Sequence, residues 1–279
     1  MADTQNEIYA QAYGRNIMQL AQQKYSKLLN TVYVRPDVRG KTFFQDQIGE
    51  WSMEVKGGRN AQTPNNDPAL ARRMGIMVDY HDNRLLDRGD ELKTISDPRS
   101  AYTIAAAQSI GRKIDDIILA SMAGAAYYGE TGSTSTTNGN IVLVTAASVT
   151  MERIATIKKT LDDKDVEMED RYFVANTTFL NNLLNLTQAT SADYNSVKAL
   201  IRGEIDTWMG FKWIMSTRIP TANVGFAYQK YGVCLGMASQ PFVKTDQRPD
   251  LSYSWQVYYE VNMGAVRLEE NKVVVINEG

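Results

Sequence analysis

Apolar positions along this chain fall into patches of helical or two-residue period, separated by long polar stretches. From Ile8 to Leu29 the residues Ala12, Ile17, Leu20, Ala21 and Leu28 lie roughly on one side of an amphipathic helix. Gln, Asn and Tyr dilute that stripe, so the segment is expected to dock on another surface and not to form a core helix. Arg35-Pro36-Asp37 and Arg39-Gly40 break it. From Thr42 to Tyr80 the pattern becomes strand, loop, strand. Between Gly49 and Val55, Trp51, Met53 and Val55 alternate with Ser52 and Glu54, while Met74, Ile76 and Val78 share one face of the return strand. The tip, from Lys56-Gly57-Gly58-Arg59 to Asn65-Asn66-Asp67-Pro68, is polar and too long for a tight hairpin. A two-stranded arm of that kind needs a neighbour to lie on. An ordinary surface hairpin packed on its own domain is the plainer alternative.

Ser96-Asp97-Pro98 predicts a helix start, with Asp97 as cap and Pro98 in the first turn. Ile110, Ile114, Ile117, Ile118, Met122 and Ala125 then recur at helical spacing to about Ala126, with Arg112, Lys113, Asp115 and Asp116 opposite. About 28 residues at 1.5 Å each make a rod of roughly 42 Å. Gly111 inside it costs about 0.5–1 kcal/mol, which makes sense where another backbone passes close. The run from Gly129 to Asn140 predicts a polar loop and a domain boundary. A second helix is expected from Ala146 to Leu161, carrying Val149, Ile154, Ile157 and Leu161, with the acidic stretch Asp162 to Asp170 ending it. Arg171 to Asn176 predicts a buried strand. A short helix follows with Phe179, Leu180, Leu183 and Leu184, capped by Thr177 or Asn176. Gly210 separates Glu204–Met209 from Phe211–Ser216, and Tyr228 to Ala238 offers a further strand or two. From Tyr253 to Asn262, Trp255, Val257, Tyr259 and Val261 alternate with polar positions. Gly264 is expected to turn the chain, and Glu270-Asn271 to turn it again into Lys272–Ile276. This antiparallel set needs an earlier element to cover it, and the long helix is the candidate. The fold class is α+β.

Composition narrows the function. The chain has 279 residues, 30 Lys and Arg against 32 Asp and Glu, one His and one Cys. One Cys excludes an intrachain disulfide and a Cys-based zinc site, and one His excludes centres built on two or three imidazoles. A net charge of −2 argues against gripping nucleic acid by charge alone. Met1 to Glu7 is too polar for a signal peptide, and the apolar stretch Ile117 to Tyr128 is too short to span a bilayer. A soluble chain made in a reducing cytoplasm is the expectation.

The search for chemistry finds little. His81 sits beside Asp82, but there is no Gly-x-Ser-x-Gly elbow, and a polar loop residue is the simpler reading. Cys234 lies in an apolar strand context that favours a buried, inert thiol. The acidic run from Asp162 to Asp170 lacks EF-hand spacing, and Gly129 to Thr134 lacks the Gly-Lys-Ser/Thr ending of a phosphate loop. No carboxylate pair stands out as a hydrolytic dyad. No catalytic, cofactor-binding or metal-binding residue is expected.

Four stretches nevertheless carry a resemblance over nearly the whole chain. They are Tyr13 to Leu29 with Gln22-Gln23; the strand–loop–strand with Arg72-Arg73; Ser96-Asp97-Pro98-Arg99 leading into Gly111-Arg112-Lys113-Ile114-Asp115-Asp116-Ile117-Ile118; and Met209-Gly210-Phe211 with the late Gly264-Ala265-Val266-Arg267. In their order and spacing the chain resembles a major capsid protein of a tailed double-stranded DNA bacteriophage, of the fold known from phage HK97. The resemblance implies an N-terminal arm (1–40), an E-loop with its flanking strands (41–95), a P-domain with a spine helix (96–140), an A-domain (141–240) and returning P-domain strands (241–279). It implies a virion protein that self-assembles into pentamers and hexamers of an icosahedral shell, in the host bacterial cytoplasm. In that shell the A-domain lies near the capsomer axis and the E-loop over an adjacent subunit.

The chain begins at the arm without a long helical scaffolding segment, so a separate scaffolding protein is expected. A portal protein and a decoration protein are further partners, and packaged DNA is touched non-specifically, as near-neutral charge suits. Some members of the family cross-link a Lys to a neighbour's Asn beside a catalytic Glu; Lys56 is the position to offer, but nothing identifies its partners. Aromatic and Arg contacts dominate interfaces. The interface candidates are therefore Trp51, Lys56, Arg59, Arg72, Arg73, Arg99, Arg112, Trp208 and Trp213, with a simple core role as the plainer reading for each Trp. Two competing expectations are an encapsulin-like compartment on the same fold and a carboxylate-dependent hydrolase.

Overall fold

A computed structural model describes residues 22–63, 65–87, 99–143, 150–184, 207–220, 223–238 and 241–277. The expected arm residues before Gln22, the Asp97-Pro98 helix start, Val149 and the stretch 204–206 lie outside them. In chain order the strands and helices are β1 (Tyr33–Arg35), β2 (Thr42–Ile48), β3 (Leu70–Ile76), β4 (Val78–Leu86), α1 (Arg99–Ala123), β5 (Ala126–Tyr128), β6 (Thr134–Thr136) and β7 (Ile141–Leu143). Then follow α2 (Met151–Asp162), β8 (Arg171–Ala175), α3 (Thr177–Leu184), β9 (Thr207–Trp208), β10 (Phe211–Met215), β11 (Asn223–Gln229), β12 (Val233–Met237), β13 (Phe242–Arg248), β14 (Ser254–Arg267) and β15 (Val273–Asn277).

Three sheets form. A six-stranded sheet has the order β7-β15-β11-β8-β10-β9. A five-stranded sheet runs β1-β12-β14-β13, with β4 on the other edge of β14. A four-stranded sheet runs β2-β3-β5-β6. The last strand, β15, thus completes the six-stranded sheet, while β12 and the arm strand β1 join the five-stranded one. The mixed helix and sheet content agrees with the α+β expectation.

All five residues of β8 are buried, because the six-stranded sheet is covered on both faces. On one face Phe173, Phe211, Ala227, Val274 and Ile276 pack against Ile154, Ile157 and Leu161 of α2 and Phe179 and Leu183 of α3. On the other, Tyr172, Val174, Phe226, Tyr228, Val273 and Val275 meet Ile110, Ile114, Ile118, Leu119 and Met122 of α1. The same cluster takes in Val233, Leu235, Val261 and Met263 of the five-stranded sheet. The late strands therefore do pack on the long helix. Helix α1 has 25 residues, about 37 Å at 1.5 Å each. It stops at Ala123, short of the expected Ala126. The Asn176 side-chain oxygen accepts from the Phe179 amide at 2.7 Å, so Asn176 and not Thr177 caps α3.

Four expectations need correction. The segment 22–28 is not helical; it runs as an irregular strap that ends in one 3-10 turn at Leu29–Thr31, and Leu28 is fully buried. The outgoing strand of the hairpin is Thr42–Ile48, not Gly49 to Val55. The alternation of Trp51, Met53 and Val55 finds no ladder partner within the described chain, and the last bond closing the hairpin is the Gly49 amide to the Ala69 carbonyl at 2.7 Å. The polar run after Gly129 is not simply a loop. Thr134–Thr136 folds back on Ala126–Tyr128 and extends the hairpin sheet. Finally, Gly264 does not turn the chain: β14 passes straight through it for 14 residues.

Gly264 is required for a different reason. A Cβ there would lie 2.0 Å from the Ile76 carbonyl oxygen, where the chain leaves β3 for β4. Gly111 behaves as its position suggested, since a Cβ there would sit 2.9 Å from the Ser26 amide nitrogen of the strap. Gly264→Ala is expected to destabilise the subunit by about 1–3 kcal/mol, because backbone must move to admit the methyl group. Gly57→Ala, in open space, is expected to leave the urea midpoint unchanged. Equal midpoints for the two variants would contradict the close approach.

Candidate assembly surfaces

The hairpin of β2 and β3 has two unlike faces, because side chains alternate across a strand. On the inner face the Phe43 ring lies against Gly75 and Gly236, where a Cβ on either would come within 2.3 and 2.6 Å of it. Phe43 joins Val38, Met77, Ala126, Cys234, Val266 and Leu268 in a small core under the hairpin root. On the same face Arg73 Nε donates to the Leu268 carbonyl at 2.9 Å and its Nη2 to Glu270 at 2.5 Å. The guanidinium lies 5.4 Å from the Tyr128 ring centroid. On the outer face Arg72 pairs with Asp46 at 2.6 Å and lies over Phe44, both partners well exposed.

Beyond the hairpin the loop 49–69 extends without support. Past the closing Gly49–Ala69 bond, its internal bonds among the described residues are the Ala61 amide to the Gly58 carbonyl at 3.3 Å and Asn66 to Glu54 at 3.0 Å. Its apolar side chains face water: Trp51 is 72% exposed, Met53 98% and Val55 97%, continuous with Ile48 at 75% and Leu70 at 79%. Lys56 and Arg59 are exposed at the tip. Large apolar side chains in a row on an extended loop are what an interaction surface leaves bare.

The strap is held by a residue that periodicity assigned to the polar face of α1. Asp115 is fully buried. Its Oδ1 accepts from Ser26 Oγ at 2.6 Å and the Leu28 amide at 3.2 Å. Its Oδ2 accepts from Gln23 Nε2 at 2.5 Å and the Lys27 amide at 3.1 Å. Four donors satisfy the carboxylate, which a buried charge requires. The two amides lie just before the 3-10 turn, so a helix from elsewhere in the chain fixes the backbone that leads into it. Arg112, one turn-side away, donates to Gln22 at 2.8 Å and to the Gln23 carbonyl at 3.4 Å. Asp116 takes Arg218 of the loop after β10 in a two-bond pair, and Lys27 Nζ donates to the Met215 carbonyl at 2.8 Å. Strap, helix and six-stranded sheet therefore meet at one turn of α1. A signal for Asp115 existed in the sequence: it stands four residues after Gly111, on the same helical face.

The other end of α1 is closed by Arg267, also fully buried. Its Nη1 donates to the carbonyls of Ser121, Met122 and Gly124 at 3.4, 2.9 and 2.8 Å, and its Nη2 to that of Thr136 at 3.1 Å. A cation at the carbonyl end suits the helix dipole. Burial lowers the Arg267 pKa from its ordinary value, with Glu270 opposing. The sequence offered no more than an Arg after Ala265-Val266.

The remaining candidates scatter. Trp213 stacks on Phe173 at 4.0 Å between ring centroids and donates Nε1 to the Trp208 carbonyl at 3.1 Å, so both tryptophans pack against the core of their own chain. Arg99 begins α1, and its side chain lies outside the described residues. His81 is exposed on β4, opposite Glu260, in a strand and not in a loop. Cys234 is fully buried, and burial pushes its thiol up to about 11. Among the described residues no cluster of His, Cys, Asp and Glu is arranged to hold a metal, and no helix is long and apolar enough to cross a membrane.

An arm strapped to a long helix, a hairpin ending in a bare apolar loop and two lobes sharing one core define a structural assembly subunit. Comparison with known proteins identifies which. A profile of phage capsid proteins matches residues 6–278, and the chain belongs to that family. No curated protein matches it significantly in sequence. Among solved structures it is similar to the capsid of cyanophage P-SCSP1u, at 17% identity over 98% of this chain and 94% of that one, with a TM-score of 0.77. It is similar to a chain of Mycobacterium phage Che8 at 16% identity, over 96% of each, with a TM-score of 0.74. The capsid of a native GTA particle matches at 13% identity over 100% and 98%, with a TM-score of 0.69. At such identities the likeness is one of fold. The protein is therefore a structural capsid protein of the virion and not an enzyme.

Asp115→Asn is expected to cost about 2–4 kcal/mol, since an amide turns two hydrogens toward donors. Arg218→Ala, removing a part-exposed pair, is expected to cost about 1 kcal/mol or less. Chemical unfolding of each variant measures the difference, and equal costs would sink the special role given to Asp115. Cys234 is expected to react with a thiol reagent at pH 8 only after unfolding, because its raised pKa keeps it protonated as well as buried. Rapid labelling of the native chain would contradict this.

Proposed function

We propose that this subunit forms pentamers and hexamers that close into an icosahedral shell around a double-stranded DNA genome. The observation that carries the reading is the loop 49–69. Its Trp51, Met53 and Val55, with Ile48 and Leu70 beside them, are exposed in the single chain. Burying each on a neighbour is worth roughly 1.5–3 kcal/mol, so five such side chains supply several kcal/mol per subunit after the cost of ordering the loop. In this reading residues 1–40 are the arm, 41–95 the E-loop region, 96–140 and 241–279 the P-domain around its spine helix, and 141–240 the A-domain, with β12 and β15 exchanged between the last two. Trp51, Lys56, Arg59 and the outer-face Arg72 are the interface residues. Arg73, Arg112, Trp208 and Trp213 act first within their own subunit.

Assembly takes place in the host bacterial cytoplasm with a scaffolding protein and a portal protein. A decoration protein is a further partner on the finished shell. DNA inside meets a shell whose subunits each carry a net charge of −2, which calls for confinement and not for tight binding.

Removing Gly57 to Pro68 and joining the ends with a short Gly-Ser linker tests the reading. The shortened chain is expected to keep its circular dichroism and unfolding midpoint but to yield no closed shells by electron microscopy, with or without co-expressed scaffold. Loss of folding would show instead that the tip serves its own core. Normal shells would show that it serves no neighbour.

A further inference from the structure

The hairpin is tied to the body at two levels. Its root is fixed by packing around Phe43, whereas its middle is held by polar bonds. Gln47 Nε2, at 3.1 Å, and Arg73 Nε, at 2.9 Å, both donate to the Leu268 carbonyl. Glu270 Oε2 accepts from Arg73 at 2.5 Å, while its Oε1 stands 3.7 Å from Arg267 Nε, beyond hydrogen-bond reach. Arg73 Nη1, Arg267 Nε and Glu270 Oε1 are each buried without a hydrogen-bond partner among the described residues. Two guanidiniums thus share one carboxylate, which is hydrogen-bonded to Arg73 and in a longer ion pair with Arg267. Removing one member of a partly buried ion pair leaves the other charge with fewer partners, at a cost.

We propose that Glu270 is a two-position latch for the hairpin. In the position seen here it holds Arg73 and leaves Arg267 Nε unsatisfied. When the hairpin lifts, the carboxylate closes on Arg267, whose Nη groups remain on the carbonyls at the end of α1. Closing needs a shift of roughly 1 Å, from 3.7 Å to an ordinary charge-assisted bond. Neither remaining charge is then stranded, and Arg73 leaves with β3 toward water. Repulsion between the two cations favours the same release. The hairpin thus has two settings, pivoting on a root that stays packed.

Hydrogen–deuterium exchange on the full chain tests this, with variants compared in the same state of assembly. Arg73→Ala mimics the released setting. It is expected to raise exchange about tenfold in residues 44–48 and 70–74, by opening them locally. Residues 118–123 of α1 and 263–267 of β14 are expected to stay as protected as before. Glu270→Gln, which deprives both cations, is expected to raise exchange in both regions. The latch is overturned if Arg73→Ala loosens the helix end as well, since Glu270 then has no second position. It is equally overturned if that variant leaves the hairpin unchanged. Should Glu270→Gln fail to fold, the Arg73→Ala pattern alone decides.

Discussion

Helix α1 is packed from two sides by the two larger sheets, and the rest of the subunit takes its place from that fact. Ile110, Ile114, Ile118, Leu119 and Met122 meet residues of both sheets in one continuous core. A helix buried that broadly leaves few positions for water-facing charge, so the charged side chains that remain on it carry connections. Asp115 receives the strap and Asp116 the loop after β10, while Arg267 from β14 closes the far end. Asp115 and Arg267 are buried, which is costly for a lone charge and is tolerated because several fixed donors or carbonyls surround each of them. The result is a body whose lobes, strap and helix cannot shift independently without exposing an unsatisfied group.

The hairpin follows the opposite logic. Its root is packed like the body, but beyond the latch residues its contacts thin out, and past Gly49 the chain has almost none of its own. Surface that a rigid body cannot cover at home is available for another copy. In the proposed shell, rigid body and bare loop are complementary requirements: the subunit keeps its shape while leaving the loop's apolar surface unspent.

What could be read from the sequence divides along the same line. Elements whose burial is set by a local period were legible: α1 from its Ile stripe, α2 from Ile154, Ile157 and Leu161, β8 from its unbroken apolar run, and β14 from strict alternation. Gly111 was legible too, since a glycine inside a good helix asks for a close neighbour. Features fixed by a distant partner were not. The alternation at Trp51, Met53 and Val55 looks like a strand, but a strand exists only where a ladder partner does. Gly264 looks like a turn, but its missing Cβ makes room for Ile76. Asp115 looks solvated by helical position, and only the strap passing over Gly111 converts it into a buried anchor.

The interface candidates show why surfaces of this kind resist reading from composition. Interface cores and folding cores draw on the same residues, large aromatics and arginine, because both bury area and offer directed hydrogen bonds. Trp51 and Trp213 are equivalent by that rule. Yet Trp213 stacks on Phe173 inside its own lobe, while Trp51 stands in water. Arg72 and Arg73 are adjacent, but the strand pleat sends one to the open face and the other to Leu268 and Glu270. The deciding quantity is which face of a strand the body already covers. That depends on Phe43 finding two glycines, from β3 and β12, to lie against. A single packing contact at the hairpin root thus sorts the side chains of the whole hairpin into those that hold the subunit together and those left exposed.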